Sequence, residues 1–337
     1  MALRFCDGFD SYASGADLTK KWASTDASWT WASSAGRFGG GAISNAGATA
    51  GKQVTSRGGA YSVGADTAIG FYVKASGIPA ATSPIFTMYN NVSGVIYNIN
   101  LNLTTGFVGV TGLSSGNIPA GTINVCDGGW HWIEYRCTNN TTSYLYVDGV
   151  VQPNGGWTGV PDHCAFNSIS GITVTIDDLV GYDGNPPTDG AGHNFPLNAR
   201  QIITTRPASD SVIGFSTTSS GSTHYNLVNE VNPDGDTSYV QDGTGGDQDL
   251  LNFGALGYTP TTINGAIVNV YVGNPLGGTI NVQGICKSGA AAQSNATAVA
   301  TPISYQTMQY AFPTDPNTSA AWTASGLNAA KFGYKNA

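Results

Sequence analysis

The sequence predicts an all-β protein built of two β-sandwich domains, and three observations point to it. Long helices need Ala, Leu, Glu and Lys in periodic runs, and such runs are nearly absent from a chain of 337 residues that holds 46 Gly and only 10% charged residues. The hydrophobic residues, 41% of the total, are dispersed in short alternating segments between Gly, Asn and Ser turns, as in strands that bury one face. The stretch Trp130 to Val151 (WHWIEYRCTNNTTSYLYVDGVV) sets two runs rich in Trp, Ile, Tyr and Val about a short Thr/Asn linker, the signature of an antiparallel hairpin.

Candidate strands of the first region run over residues 67–74, 84–89, 95–103 and 107–110, then the hairpin, then 172–182. Their regular spacing suggests a sandwich closing its core between two sheets. In the hairpin, pairing Cys137 with Ser143 sets Tyr135 opposite Leu145 and Ile133 opposite Val147, an apolar face. The other face then pairs Arg136 with Tyr144, Glu134 with Tyr146 and Trp132 with Asp148. Slipping the register by one residue would bury Glu134 and Arg136, so the alternation itself selects this pairing.

Residues 184–199 (GNPPTDGAGHNFPLNA) combine Pro186-Pro187 with Gly and polar residues, a composition that stays extended. The expected organisation is therefore a first domain over 1–185, a linker over 186–199 and a smaller β-sandwich over 200–337. Strands of the second domain are expected at 266–272, 278–287, 308–312 and 330–334.

Trp130-His131, the alternating residues after it and Leu145-Tyr146-Val147-Asp148-Gly149 resemble the central hairpin of laminin-G-like, concanavalin-type jelly rolls. The run Ile176 to Asp183 (IDDLVGYD) is similar to the last strand of that fold, and Asp7-Gly8-Phe9-Asp10 with Trp22 to its opening. The resemblance covers roughly residues 1 to 185. It implies that the Asp177-Asp178 pair meets Asp7 or Asp10, an oxygen set that would suit a calcium ion; the competing reading is that these carboxylates accept hydrogen bonds from turn amides. In the second region, Pro233 to Val240 (PDGDTSYV) and the ending from Ala321-Trp322-Thr323 to Lys331-Phe332-Gly333 resemble a module appended to jelly rolls in virion proteins of tailed bacteriophages. That resemblance implies a phage particle component, docked on capsid or tail proteins.

A net charge of −8 and a pI near 4.7 argue against nucleic acid, whose phosphates call for clustered Lys and Arg. No apolar run is long enough to span a bilayer, so a soluble protein is expected. The first residues hold no apolar core of signal-peptide length, which does not indicate export. Cysteines 6, 126, 137, 164 and 286 form no CxxC pair and read as small buried hydrophobes. No cofactor is expected other than the calcium already weighed.

Glycoside hydrolysis usually needs two carboxyl groups about 5 to 10 Å apart, and the two glutamates, Glu134 and Glu230, fall in different predicted domains. Arg136 beside Glu134 would also depress a general acid. The acidic loop Asp234, Asp236, Asp242, Asp247 and Asp249 lacks EF-hand spacing and reads as a solvated turn. No catalytic residue is assigned. The binding candidate is the outer hairpin face, Trp132, Glu134, Arg136, Tyr144 and Tyr146, where aromatics would stack on sugars or bury against protein. The sequence thus predicts a non-enzymatic virion protein, a head decoration or short head fibre, assembled in the host cytoplasm and exposed on the particle. Self-association and weak adhesion to host surface glycan go with it, a tail-associated carbohydrate-binding protein being the alternative.

Overall fold

The computed structural model describes residues 2–47, 49–56, 67–90, 94–113, 116–138, 142–156, 159, 161–183, 196, 200–221, 223–278, 280–290 and 293–337. They form two compact units whose boundary in sequence falls between Ile202 and Ile203. The linker expected over 186–199 lies, Pro196 apart, outside the described residues.

The first unit is built of β1 (Ala2–Asp7), β2 (Trp22–Thr25), β3 (Trp29–Ala32), β4 (Ala42–Asn45), β5 (Gln53–Ser56), β6 (Thr67–Ala75) and β7 (Ser83–Asn90). It continues through β8 (Gly94–Leu101), β9 (Val108–Thr111), β10 (Trp130–Thr138), β11 (Thr142–Val147), β12 (Val150–Gly155), β13 (His163–Asn167) and β14 (Val174–Asp183). An eight-stranded sheet runs β12-β11-β10-β6-β14-β4-β3, with β1 also paired to β14; a six-stranded sheet runs β2-β5-β13-β7-β8-β9. Every pairing is antiparallel, and the two-sheet sandwich agrees with the expected fold class.

The hairpin has the register that alternation dictates, Cys137 opposite Ser143, Tyr135 opposite Leu145 and Ile133 opposite Val147. Its inward residues enter one core in which Phe71 of the larger sheet meets Phe86 and Phe166 of the smaller, ring centroids 5.1 to 5.2 Å apart. Edge-to-face and offset aromatic packing of this kind contributes beyond the area it buries. Cys126, Cys137 and Cys164 are buried and unbridged, as small hydrophobes would be.

The second unit comprises β15 (Pro207–Val212), β16 (Thr217–Thr218), β17 (Val240–Gln241), β18 (Gln248–Phe253), β19 (Ala266–Val272), β20 (Asn281–Lys287), β21 (Ser294–Asn295), β22 (Val299–Ala300), β23 (Gln306–Phe312) and β24 (Lys331–Asn336). One sheet runs β15-β18-β24-β20-β21 with β22 beside β20, and β19 pairs with β23 as a separate ribbon. Between them pack Phe312, Trp322 and Phe332. The short helix α1 (Ala324–Ala329) escaped the sequence reading; Thr323 caps it, its Oγ1 accepting from the Gly326 amide at 3.0 Å.

Asp249, expected in a solvated turn, is instead fully buried. Its Oδ1 accepts the amides of Gly214 and Phe215 at 2.9 and 3.1 Å, and its Oδ2 accepts His224 Nδ1–H and Tyr334 Oη–H at 2.7 and 2.9 Å. One carboxylate thus ties β18 to β24, to the loop after β15 and to the 3-10 turn His224–Leu227. The reason is that β18 is buried on both faces, Asp249 sharing the side of Leu251 while Leu250 is buried on the other. The backbones approach closely here, since a Cβ on Gly333 would stand 1.8 Å from the Asp249 carbonyl oxygen.

Removing the carboxylate strands several buried donors, so Asp249→Ala is expected to destabilise the second unit by about 3 kcal/mol or more. Tyr334→Phe, which removes one hydrogen bond, should cost about 1 kcal/mol. Urea unfolding of the full chain followed by intrinsic fluorescence checks both.

Candidate functional site

On the outer side of the larger sheet, β10 presents Trp132, Glu134 and Arg136, and β11 presents Tyr144 and Tyr146. The expected open face is only partly open. Trp132 and Glu134 are fully buried, whereas Arg136, Tyr144 and Tyr146 are half-buried. The cause is the strand beside the hairpin: β6 sets Gly70 opposite Glu134, and a Cβ on Gly70 would stand 2.2 Å from the Trp132 ring. Without that Cβ the indole lies down on the sheet, its Nε1–H donating to Glu134 Oε2 at 3.2 Å.

Tyr72 closes the other side of the indole, centroids 5.0 Å apart and edge on. The Arg37 guanidinium lies 4.1 Å from the Tyr72 ring centroid and donates to its hydroxyl. What remains to solvent is the strip of Arg136, Tyr144 and Tyr146, the two tyrosine rings stacked at 6.5 Å and 26°. Sequence reasoning missed Arg37, because nothing local connects it to Tyr72, 35 residues further along the chain.

The four aspartates weighed as calcium ligands each hold protein groups. Asp7 Oδ1 accepts the Phe9 amide at 2.9 Å and lies 3.4 Å from Lys21 Nζ, while its Oδ2 accepts Tyr12 Oη–H at 2.5 Å and Trp22 Nε1–H at 2.9 Å. Asp10 Oδ1 accepts the Gly41 amide at 2.6 Å. Asp177 Oδ2 accepts the Arg37 amide at 2.8 Å and its Oδ1 that of Asp178 at 2.7 Å. Asp178 Oδ1 accepts the Ile202 amide at 2.7 Å. Among the described residues no three His, Cys, Asp or Glu side chains gather as a metal centre, and the hydrogen bonds present are those of the competing reading, carboxylates accepting from amides. These carboxylates clasp backbone because a turn amide lies within reach of each, and Asp7 has no acceptor position to spare.

The clasps carry an electrostatic cost. Ladder register shifts between Asp177 and Val180, and Asp178 sits at φ +49. Burial first, and then the neighbouring carboxylates, push Asp177 and Asp178 up to about 6 and about 8. Asp178 Oδ2 is buried without a partner among the described residues.

At the far end of β10, His131 is clamped by Asp148 Oδ2 at 2.7 Å on Nδ1 and by Asp127 Oδ1 at 3.0 Å on Nε2. Asp148 is the first residue of the Asp-Gly turn joining β11 to β12, both residues at positive φ, 51 and 78, as a type I′ hairpin requires. Burial opposes protonation of His131, but hydrogen bonds and charge from the two aspartates win and its pKa is raised.

No family model and no curated protein matches the chain. Solved structures to which it is similar include a sialidase of Trypanosoma rangeli in complex with the inhibitor DANA, at 14% identity and TM-score 0.36, covering 49% of this chain and 30% of that one. The cellulose-induced protein Cip1 aligns at 12% identity and TM-score 0.39 over 54% of this chain and 98% of its own. Domain 4 of AbnA, an extracellular arabinanase of Geobacillus stearothermophilus in complex with arabinotriose, aligns at 17% identity and TM-score 0.33 over 47% and 77%. The class defined by the strands themselves is an all-β chain, a two-sheet antiparallel sandwich followed by a further β unit.

Two titrations should act in the same direction. The His131 clamp stabilises in full below the unfolded pKa of about 6.5 and is lost as pH rises through the raised folded value. Asp177 and Asp178, folded pKa above the unfolded value of about 3.9, favour the folded state most below about pH 4, and that advantage falls as pH rises through their folded values. The first unit is therefore expected to lose stability steadily from pH 5 to pH 9. Asp178→Asn, a residue tolerated at positive φ, should flatten the dependence and leave the variant more stable than the parent at pH 8, measured by urea midpoints.

Proposed function

We propose that the chain is a non-enzymatic structural protein of a tailed-phage particle, placed on the head as decoration or as a short fibre. Its copies self-associate, and its outer surface adheres weakly to host glycan. The motifs quoted from both regions of the sequence support the particle setting, and assembly in the host cytoplasm goes with it.

The observation that carries the non-enzymatic reading is the position of Glu134. The one glutamate on the aromatic face lies under Trp132, buried and hydrogen-bonded to its indole. Glu230 belongs to the other unit and accepts Ser238 Oγ–H at 2.6 Å. Glu230 shares that hydroxyl with Asp234, whose Oδ1 lies 2.9 Å from Ser238 Oγ, so the reading rests on Glu134 alone, enclosed with the indole instead of open to a sugar ring. Half-buried Tyr144 and Tyr146 with Arg136 instead offer area and hydrogen-bonding capacity to a partner surface, the residue types enriched where proteins meet.

Cryo-electron microscopy of particles carrying the chain is expected to show its copies on the head. Copies at the tail tip would favour the alternative, a receptor-binding protein, and release of reducing sugar from host polysaccharide by the purified chain would overturn the non-enzymatic reading. The paired variant Tyr144→Ala and Tyr146→Ala is expected to reduce co-sedimentation with particles that lack the chain by tenfold or more, while moving the thermal midpoint by only a few degrees.

A further inference from the structure

The outer face of the six-stranded sheet carries a feature that alternation alone does not disclose. Phe86, Met88, Cys164, Phe166 and Ile99 point into the core, so their neighbours along β7, β13 and β8 point out. Those neighbours are joined side chain to side chain across the sheet. Gln53 Nε2 donates to Asn167 Oδ1 at 2.8 Å, Asn167 Nδ2 to Thr87 Oγ1 at 2.9 Å, and Thr87 Oγ1 to Asn98 Oδ1 at 2.7 Å. On the next strands, Asn100 Nδ2 donates to Thr111 Oγ1 at 2.9 Å. The two runs meet on β8, where Asn100 Nδ2 also donates to the Asn98 carbonyl at 3.1 Å, so β5, β13, β7, β8 and β9 share one ladder of amides and hydroxyls with no Asp, Glu, Lys or Arg in it.

Its centre is recessed. Thr87 and Asn167 keep 2% and 3% of their surface, and Ala165 between them none. Beside it stand Tyr89 and His163, rings stacked at 5.1 Å and 11°, with Tyr89 Oη accepting from Gln53 Nε2 at 2.7 Å.

The ladder uses only part of its hydrogen-bonding capacity. Among the described residues, no protein group engages Gln53 Oε1, Asn98 Nδ2 or Asn100 Oδ1, and none of the three is a buried unpartnered atom, so each opens to solvent. Acceptors and a two-proton donor are interleaved there, held in place by the bonds their other atoms make. An apolar ligand would strand these amides at a cost; the ionisable pair at the wall, His163 and Asp162, is closed Nδ1 to Oδ1, and the ladder itself offers an ionic ligand no counter-charge. A chain of sugar hydroxyls, each donor and acceptor at once, satisfies both kinds, and an aromatic wall takes the apolar face of a sugar ring.

We infer that this face of the six-stranded sheet, with Gln53, Asn98 and Asn100 as its hydrogen-bonding groups and Tyr89 and His163 as its wall, is a binding site for an uncharged glycan. It rests on the adhesive part of the function proposed above and assigns that adhesion to a surface on the opposite sheet from the tyrosine strip. The low charge of the face selects neutral over uronic or sulfated polymers.

Affinity electrophoresis of the full chain through gels holding dextran, mannan, galactan, xylan or linear arabinan, with polygalacturonate and heparin as charged counterparts, tests it. Retardation by at least one neutral polymer and by neither charged one is expected. Gln53→Ala and Asn98→Ala should each weaken it about tenfold, the effect of removing one well-placed hydrogen bond, and Thr111→Glu, which sets a charge at the exposed end of the ladder, should abolish it without lowering the thermal midpoint. Retardation that survives Asn98→Ala and Thr111→Glu but disappears in the Tyr144→Ala, Tyr146→Ala variant would overturn this site and leave adhesion standing. Absence of retardation by every neutral polymer would overturn both, as would binding to the charged polymers alone.

Discussion

The position of β14 in the larger sheet is the constraint on which the rest of the first unit depends. The last strand of the sandwich is a central one, bordered by β6 along one edge and by β4 and then β1 along the other. Closing it joins residues 174–183 to residues 2–7, 42–45 and 67–75, pairings far apart in sequence whose loop-closure entropy must be met before they stabilise anything. The handover from β4 to β1 falls where the ladder register of β14 shifts, between Asp177 and Val180. Asp177 and Asp178 sit there because a bulge leaves amides and carboxylates to be satisfied outside the ladder.

The sparing use of charge follows from the same geometry. With only 10% charged residues, this protein puts several carboxylates inside as clasps on backbone: Asp7 on the turn after β1, Asp10 on the glycine run before β4, Asp177 on Arg37, Asp249 on three segments of the second unit. A buried carboxylate is tolerated when donors surround it. Asp7 and Asp249 meet that condition, and Asp178, with one oxygen unpartnered among the described residues, shows the consequence of meeting it by half in a raised pKa. The glycines at 40 and 41 serve the same end, since a Cβ on Gly40 would stand 2.1 Å from Asp10 Oδ1 and one on Gly41 2.0 Å from the Phe9 carbonyl oxygen.

With the core between the sheets, function must lie on their outsides, and the two outsides differ. That of the larger sheet is filled by Trp132 and Tyr72 under Arg37, leaving a tyrosine strip at the hairpin. That of the smaller sheet is a hydrogen-bonded floor of amides and hydroxyls, with the His163–Asp162 pair beside it. Under the function proposed above, the first would serve docking on a protein surface and the second a polyhydroxylated chain.

Strand alternation, a property of neighbouring residues, was enough to determine the all-β class, the hairpin register from Ile133 to Ser143, and most long strands of both regions, because a period of two reports which side of a strand is buried whatever lies beside it. It could not say what lies beside it. That Trp132 would be covered depended on β6 bringing Gly70 under the indole; which amides the aspartates would clasp depended on which turns β14 and β1 brought within reach. The ladder from Gln53 to Thr111 joins five strands scattered over residues 53 to 167. Only the order of strands in the sheet puts those amides edge to edge, and that order is set by long-range packing, which no window of sequence contains.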